Sequence, residues 1–266
     1  MTTSCIIKHF EHYSPLTDND KRLLDTLEES PETYPKNAHI WKPGDVADHF
    51  YTLSSGWAYT YRDMEDGSRQ VLDIYIPGDV IGLRELAFEK QITGLYLLTD
   101  AQLCAFPKTR LTEVFSESLL LSTIFFIITS VDQAILLERL VNLGRRSARQ
   151  KLAHFLLEIS TRLYKTNADI DNPLKLPLSQ TLLADALGLS AVHVNRTFKA
   201  LKEEHLISAT NGSVQLLDIA GLKEAAGFDP EYLAENVSGL LQHVRQMQRQ
   251  MEAGARSDTA VRAHQS

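Results

Sequence analysis

The 266-residue sequence predicts an α+β chain with an N-terminal antiparallel β-roll, jelly-roll-like, then a long helix, then a C-terminal helix pair with a β-hairpin. Three observations carry this. From about Thr33 to Pro107 the apolar pattern has a period of two, and Gly44, Gly56, Gly67 and Gly78 recur about every eleven residues. Even turn spacing of that kind marks short strands folding back on each other rather than alternating strands and helices. From Lys108 to Leu143 the period becomes helical. From Leu178 to Ile207 two short helical patterns flank Gly188, and a strand, an Asn-Gly turn and a second strand follow up to Asp218.

Composition is that of a globular protein, 44% hydrophobic and 23% charged, and the length suits about two domains. A net charge of −7 argues against a general polyanion binder, although local charge sets the field at any one surface. Arg139 to Lys165 carries seven Lys/Arg against one acid, Glu158. Two cysteines, Cys5 and Cys104, supply no disulfide framework and suit a reducing cytoplasm. The polar first ten residues do not read as a signal peptide. The most apolar run, Leu119 to Ile128, is too short to span a bilayer and runs into Asp132, so no membrane partner is expected.

Residues 1–30 read as a loose lead and one short helix, started by Pro15 to Asp20 and striped by Leu16, Leu23, Leu24 and Leu27. By residue type Cys5, His9 and His12 could ligate a metal or haem; in a polar lead they are expected to be solvated, and no metal site is assigned. Residues 31–115 form the roll, with Pro-Gly-Asp repeated at Pro43 and Pro77. Residues 116–146 are the long dimerisation helix and hinge. Leu120, Ile124, Ile127, Val131, Ala134 and Val141 follow a coiled-coil seam broken by Glu138. The helix is apolar nearly all round between 119 and 128, which calls for cover by the roll and by a partner helix, hence a symmetric homodimer.

Residues 147–220 carry the helix pair. Leu152, Phe155, Leu156 and Ile159 lead in as an amphipathic helix, and Thr166 to Pro177 reads as a polar loop. Ser179 is placed to cap the next helix, whose apolar face is Leu182, Leu183, Ala186 and Leu187. Gly188 ends it, Leu189 plugs the turn, and Ser190 caps a second helix. There Val194, Phe198 and Leu201 face inward, while Ala191, Val192, His193, Asn195, Arg196 and Lys199 face out. Residues 221–266 read as a helical extension with a small, polar, disordered tail from Gly254.

The run LGLSAVHVNRTFKALKEEHLI, with the hairpin after it, resembles the recognition region of the CRP/FNR family of bacterial transcription regulators. That resemblance implies a winged helix-turn-helix, double-stranded DNA and RNA polymerase as partners, and a roll similar to the cyclic-nucleotide-binding fold that serves as a sensor. Arg196 keeps the family's base-reading arginine, whose fork matches guanine O6 and N7. Ala191 and Val192 stand where the family has longer polar readers and offer only apolar contact. His193 and Asn195 could donate, with Asn195 nearer the backbone; Ser179, Gln180 and Lys199 are placed for phosphate.

The cyclic-nucleotide cassette of such domains uses a Gly-Glu pair and then an Arg-Ser-Ala run. Here those places read Gly82-Leu83 and Thr93-Gly94-Leu95, so an effector other than cyclic AMP is expected, or none. Arg84 and Glu85 read as a structural ion pair. Two cysteines cannot hold the four-cysteine iron–sulfur cluster of the oxygen-sensing branch, and Cys104, among Leu103, Ala105 and Phe106, reads as a buried thiol. No cofactor is named by these residues. No catalytic constellation is present, which argues against an enzyme. A rival reading keeps the nucleotide-type module but makes the helix pair a protein-docking element.

Overall fold

The computed structural model describes residues 4–27, 30–165, 174–210, 213–234 and 237–263. The N-terminal lead is itself helical: α1 (Cys5–Tyr13) and α2 (Asp18–Leu27) replace the loose lead and single helix expected from sequence. Ser4 caps α1 by accepting from the Ile7 amide, and Ile6 and Phe10 are completely buried, so packing makes a helix where composition suggested none. His9 is correspondingly half-buried. Its Nε2 is shut off from water without a partner, and burial, helped by His12, lowers its pKa to about 4. The Cys5 side chain lies outside the described residues, and among those described no cluster of His, Cys, Asp or Glu is arranged to hold a metal.

Eight strands build the roll: β1 (Glu32–Tyr34), β2 (His39–Trp41), β3 (His49–Ser55), β4 (Ala58–Asp63), β5 (Arg69–Tyr75), β6 (Val80–Ile81), β7 (Gly94–Leu97) and β8 (Ala101–Pro107). They form two antiparallel four-stranded sheets, ordered β1-β8-β3-β6 and β2-β7-β4-β5. The two Pro-Gly-Asp triplets fold alike. In each the aspartate side chain accepts the amide three residues back, Lys42 N to Asp45 at 2.7 Å and Ile76 N to Asp79 at 2.8 Å. Gly44 and Gly78 sit at φ 94° and 99°, a conformation that L side chains resist. Alternation then sorts the strands' faces. Trp41, Leu53, Tyr75, Leu95 and Leu103 fill the roll, while Phe50, Cys104 and Phe106 face the helical layer.

That layer contains α3 (Leu111–Glu117) and the 27-residue α4 (Leu119–Arg145), separated at Ser118. Ser118 accepts from the Leu121 amide and donates to buried Asp20 at 2.6 Å, tying the start of α4 to α2. α4 is long and apolar enough by length and composition to cross a bilayer, which corrects the expectation of too short a run. Its packing is that of a core helix: Leu121, Ile124, Phe125 and Ile128 pack against Phe10, Phe50 and Phe106, and Asp132 approaches Arg84 at 3.9 Å.

The residues predicted to form a dimer seam meet the chain's own core instead. Leu120, Ile124 and Ile127 are buried in the chain's own core, and Val131 and Ala134 are half-buried. The occupant of that face is a helix that the sequence left unplaced, α9, at the C-terminal end of the chain (Ser238–Ala263). Its Leu241 and Val244 join the core, and Gln248 Oε1 accepts the Leu120 amide at 2.9 Å. Arg245 donates to the Pro15 carbonyl at 3.0 Å. α9 runs through to Ala263 where a disordered tail was expected from Gly254. The face of α4 left open is one residue round: Leu119, Phe126, Leu137 and Leu140 are 38%, 71%, 58% and 59% exposed.

The hinge is short, Arg146 and Ser147, and leads into α5 (Ala148–Lys165). Then come β9 (Leu174–Lys175), α6 (Gln180–Leu187), α7 (Ala191–Glu203), β10 (Ile207–Thr210), β11 (Ser213–Leu216) and α8 (Ile219–Ala226). β9 is a strand inside what reads as a polar loop, and pairs with β11 through Ser213 and Val214. The residues at the tip of the predicted Asn-Gly turn lie outside the described ones. Pro230–Leu233 is a single 3-10 turn, separate from α9, not the start of one continuous helix.

Candidate nucleic-acid interface

α6 and α7 owe their crossing to local chemistry. Ser179 accepts from the Leu182 amide at 3.0 Å and Ser190 from the His193 amide at 3.2 Å, capping each helix as expected. Between them Gly188 takes φ 61°, and the amides of Gly188 and Leu189 both return to the Ala184 carbonyl. Val194 and Leu201 are fully buried and Phe198 is half-buried. Thr197 is buried as well, which the apolar stripe did not indicate; its hydroxyl is satisfied by the His193 carbonyl at 2.9 Å.

The opposite face is open. Ser179, Gln180, Ser190, Val192, His193, Asn195, Arg196 and Lys199 are exposed, whereas Ala191 is half-buried and packs on the core. Asn195 Nδ2 donates to Gln180 Oε1 at 3.3 Å, so the two exposed amides link α7 to α6. Lys199 lies 3.7 Å from Glu203 in an exposed pair of little energetic weight. The Arg196 guanidinium has no ion pair or hydrogen bond among the described residues, and lies on the exposed side of α7.

In the basic run from Arg139 to Lys165, four residues are held in ion pairs. Arg139 pairs with Asp73 and with Glu158, the latter at 3.1 Å; Arg146 with Glu138 at 2.9 Å; Arg149 with Glu204; and Arg162 with Asp79 at 2.6 Å. Arg139 and Arg162 join α4 and α5 to the roll, while Arg146 and Arg149 tie the helices to one another. These partners were not marked by sequence reasoning. The available signal was Asp73, a lone acid inside the apolar strand Val71 to Ile76, where burial demands a counter-charge. Burial opposes the Asp73 charge, but the Arg139 and Arg84 guanidinium groups hold its carboxyl well below the usual range.

The residues expected to line an effector pocket are engaged with each other and with the scaffold. Gly82, at φ 96°, starts a 3-10 turn over Leu83–Ala87, and Leu83 is buried against the helical layer. Arg84 and Glu85 do not pair with one another, because successive side chains of a 3-10 turn diverge by about 120°. Arg84 donates to Asp73 at 2.6 Å. Glu85 is buried and accepts from Thr93 Oγ1 at 3.0 Å, with its carbonyl taken by Lys108 at 2.6 Å. The polar groups that would greet a ligand are thus satisfied internally. Cys104 is fully buried on β8.

Comparison with known proteins agrees with this two-part layout. The Cyclic nucleotide-binding domain family matches residues 31–118 and the Crp-like helix-turn-helix domain family matches residues 150–225. The nitrogen fixation regulation protein FixK of Bradyrhizobium diazoefficiens is 31% identical over 192 residues, covering 70% of this chain and 78% of that protein. The transcriptional activatory protein AadR of Rhodopseudomonas palustris is 29% identical over 222 residues, covering 81% and 89%. The solved structure of FixK2 from Bradyrhizobium japonicum superposes with a TM-score of 0.69 at 21% identity, covering 75% of this chain and 98% of that one. With its capped helix pair and wing, antiparallel roll and long α4, the chain belongs to the CRP/FNR family, whose members are DNA-binding transcription regulators and not enzymes.

Proposed function

We propose that the chain is a cytoplasmic homodimer that reads a two-half-site operator with α7 and controls transcription through RNA polymerase. The observation carrying this is the exposed face of α7, where Arg196 stands without a partner among the described residues on a helix whose opposite side is locked into the core. Ser179, Gln180, Ser190, His193 and Lys199 flank it as phosphate and groove contacts, with Asn195 holding Gln180 in place. Two-fold pairing is supported by the open stripe of α4, where Leu119, Phe126, Leu137 and Leu140 fall on the 4-3 spacing of a coiled coil. The seam is this stripe, not the one centred on Ile124 and Ile127.

One observation favours a second reading of control, in which no small effector is needed. Arg84 reaches from the cassette turn to Asp73 on β5 and toward Asp132 on α4, so an internal cation joins roll and helix where a ligand would have to. Retention of the purified protein on a duplex selected from a random pool tests the main reading. Sequence-specific binding by a dimer without added ligand supports both; strict dependence on a small molecule removes the second, and absence of sequence preference removes the first.

A further inference from the structure

We propose that Val192 is a specificity-determining residue that selects thymine in each half-site through the base's C5-methyl group, one or two base steps from the guanine read by Arg196. The inference rests on the DNA-binding reading above and adds to it a second base and a mechanism of choice.

Val192 is 62% exposed, on a helix whose other large apolar residues are packed against the core. Ala191 packs on the core, Val194 and Leu201 are fully buried, and Phe198 is half-buried against the same cluster. Valine is a poor helix former because its branched Cβ loses rotamers against the preceding turn, so propensity does not favour it here either. Neither folding nor packing gives this side chain a reason to stand in water.

Its position gives one. Val192 and Arg196 are four residues apart on α7 and both are exposed, so they lie on one face, about 6 Å apart along the axis. Base steps are roughly 3.4 Å, which places their targets one or two steps apart. In the major groove only thymine presents a methyl group; the other bases present an amino or carbonyl group or a bare edge. Valine has no atom that can pair with those polar edges, and covering one with it strips water without replacement. The side chain thus favours thymine by contact and disfavours the alternatives by desolvation. His193 and Asn195 do not duplicate this role, since both are polar and Asn195 is engaged with Gln180.

The experiment uses the full chain. Operators are first selected from a random duplex pool, and each thymine of the selected site is then replaced singly and symmetrically by deoxyuridine, which removes only the methyl group. Fluorescence anisotropy is expected to find one symmetric thymine, within two steps of a conserved guanine, whose replacement weakens binding by about fourfold per half-site, the size of one buried methyl group. Val192→Ala is expected to bring the thymine-to-deoxyuridine ratio at that position to near one, whereas Arg196→Ala leaves that ratio in place while flattening the guanine preference. Equal binding of every deoxyuridine operator, or a full methyl penalty retained by Val192→Ala, overturns the proposal with DNA reading intact. Selection that yields no sequence preference overturns both together.

Discussion

Arg162, in the first helix of the DNA-binding domain, donates to Asp79, in the second Pro-Gly-Asp turn of the roll, at 2.6 Å. A turn device of the roll thereby becomes an anchor for another domain. Glu158, one helical turn earlier, reaches back through Arg139 to Asp73, so α5 is held to the roll by alternating charges. The apolar core runs across the same boundary, from Tyr61, Val71 and Ile74 of the roll to Leu152, Leu156 and Leu187 of the helical domain. Recognition helix and roll are in this way fixed relative to each other.

Breaking that anchor should cost more than a surface ion pair. Arg162→Ala would leave Asp79 and Glu158 buried beside less positive charge, and a loss of about 3 kcal/mol in urea unfolding is expected. Asp79→Asn alone should cost less, and the double variant should recover part of the loss. Additive effects of the two changes would mean that the pair is not coupled.

The proposed dimer seam makes opposite predictions for adjacent residues. Phe126→Asp, at a 71% exposed position, should yield a folded monomer by light scattering that fails on a two-half-site operator. Ile127→Asp, at a 5% exposed position, should lower stability by more than ~3 kcal/mol before it affects assembly. A folded monomer from Ile127→Asp would return the seam to that face.

Reading and positioning should separate on α7. Arg196→Ala should flatten preference at one symmetric base pair, a loss on the order of 1–3 kcal/mol per half-site. Lys199→Ala should weaken all duplexes alike and reduce the salt dependence by about one phosphate contact. Competition titrations with single-base-pair operator variants distinguish the two; a uniform loss from Arg196→Ala would assign it to phosphate instead.

Cyclic AMP should not bind measurably. Leu83 is buried against the helices, Thr93 is held by Glu85, and Arg84 is held by Asp73. Calorimetry with cyclic AMP should give no heat of binding, and a micromolar affinity would show that these contacts open.

Asp132 predicts a pH dependence at the join between α4 and the roll. Burial raises its carboxyl to about 7, against the pull of Arg84 and with added repulsion from Asp73 and Asp79. The folded chain therefore holds a proton that the unfolded chain releases near pH 4, so this group's stabilisation is present at low pH and lost as pH rises through about 7. Between pH 6 and 8 the loss is on the order of 1 kcal/mol. Asp132→Asn should flatten that fall in thermal melts across the same range; an unchanged slope would assign it to another group.

Local pattern was enough for every element whose cause is local. Ser179, Gly188 and Ser190 specify caps and a turn within a few residues of themselves, and the two Pro-Gly-Asp triplets close their turns with their own aspartates, so the helix pair and the roll were legible from sequence. The outward set on α7, apart from Ala191, was legible for the same reason, since a helix fixes which residues share a face. What depended on distant partners was not. An all-round apolar α4 has no preferred face until α9, more than one hundred residues later, takes the side of Leu120 and Ile124. The basic run from Arg139 gave no partners by itself; Asp73 and Asp79 of the roll, Glu138 of α4 and Glu204 after α7 pair with four of its seven cations. Charge and hydrophobicity state what a residue needs; only tertiary contact decides which neighbour supplies it, because burial and Coulomb attraction act through space and carry no record of sequence order.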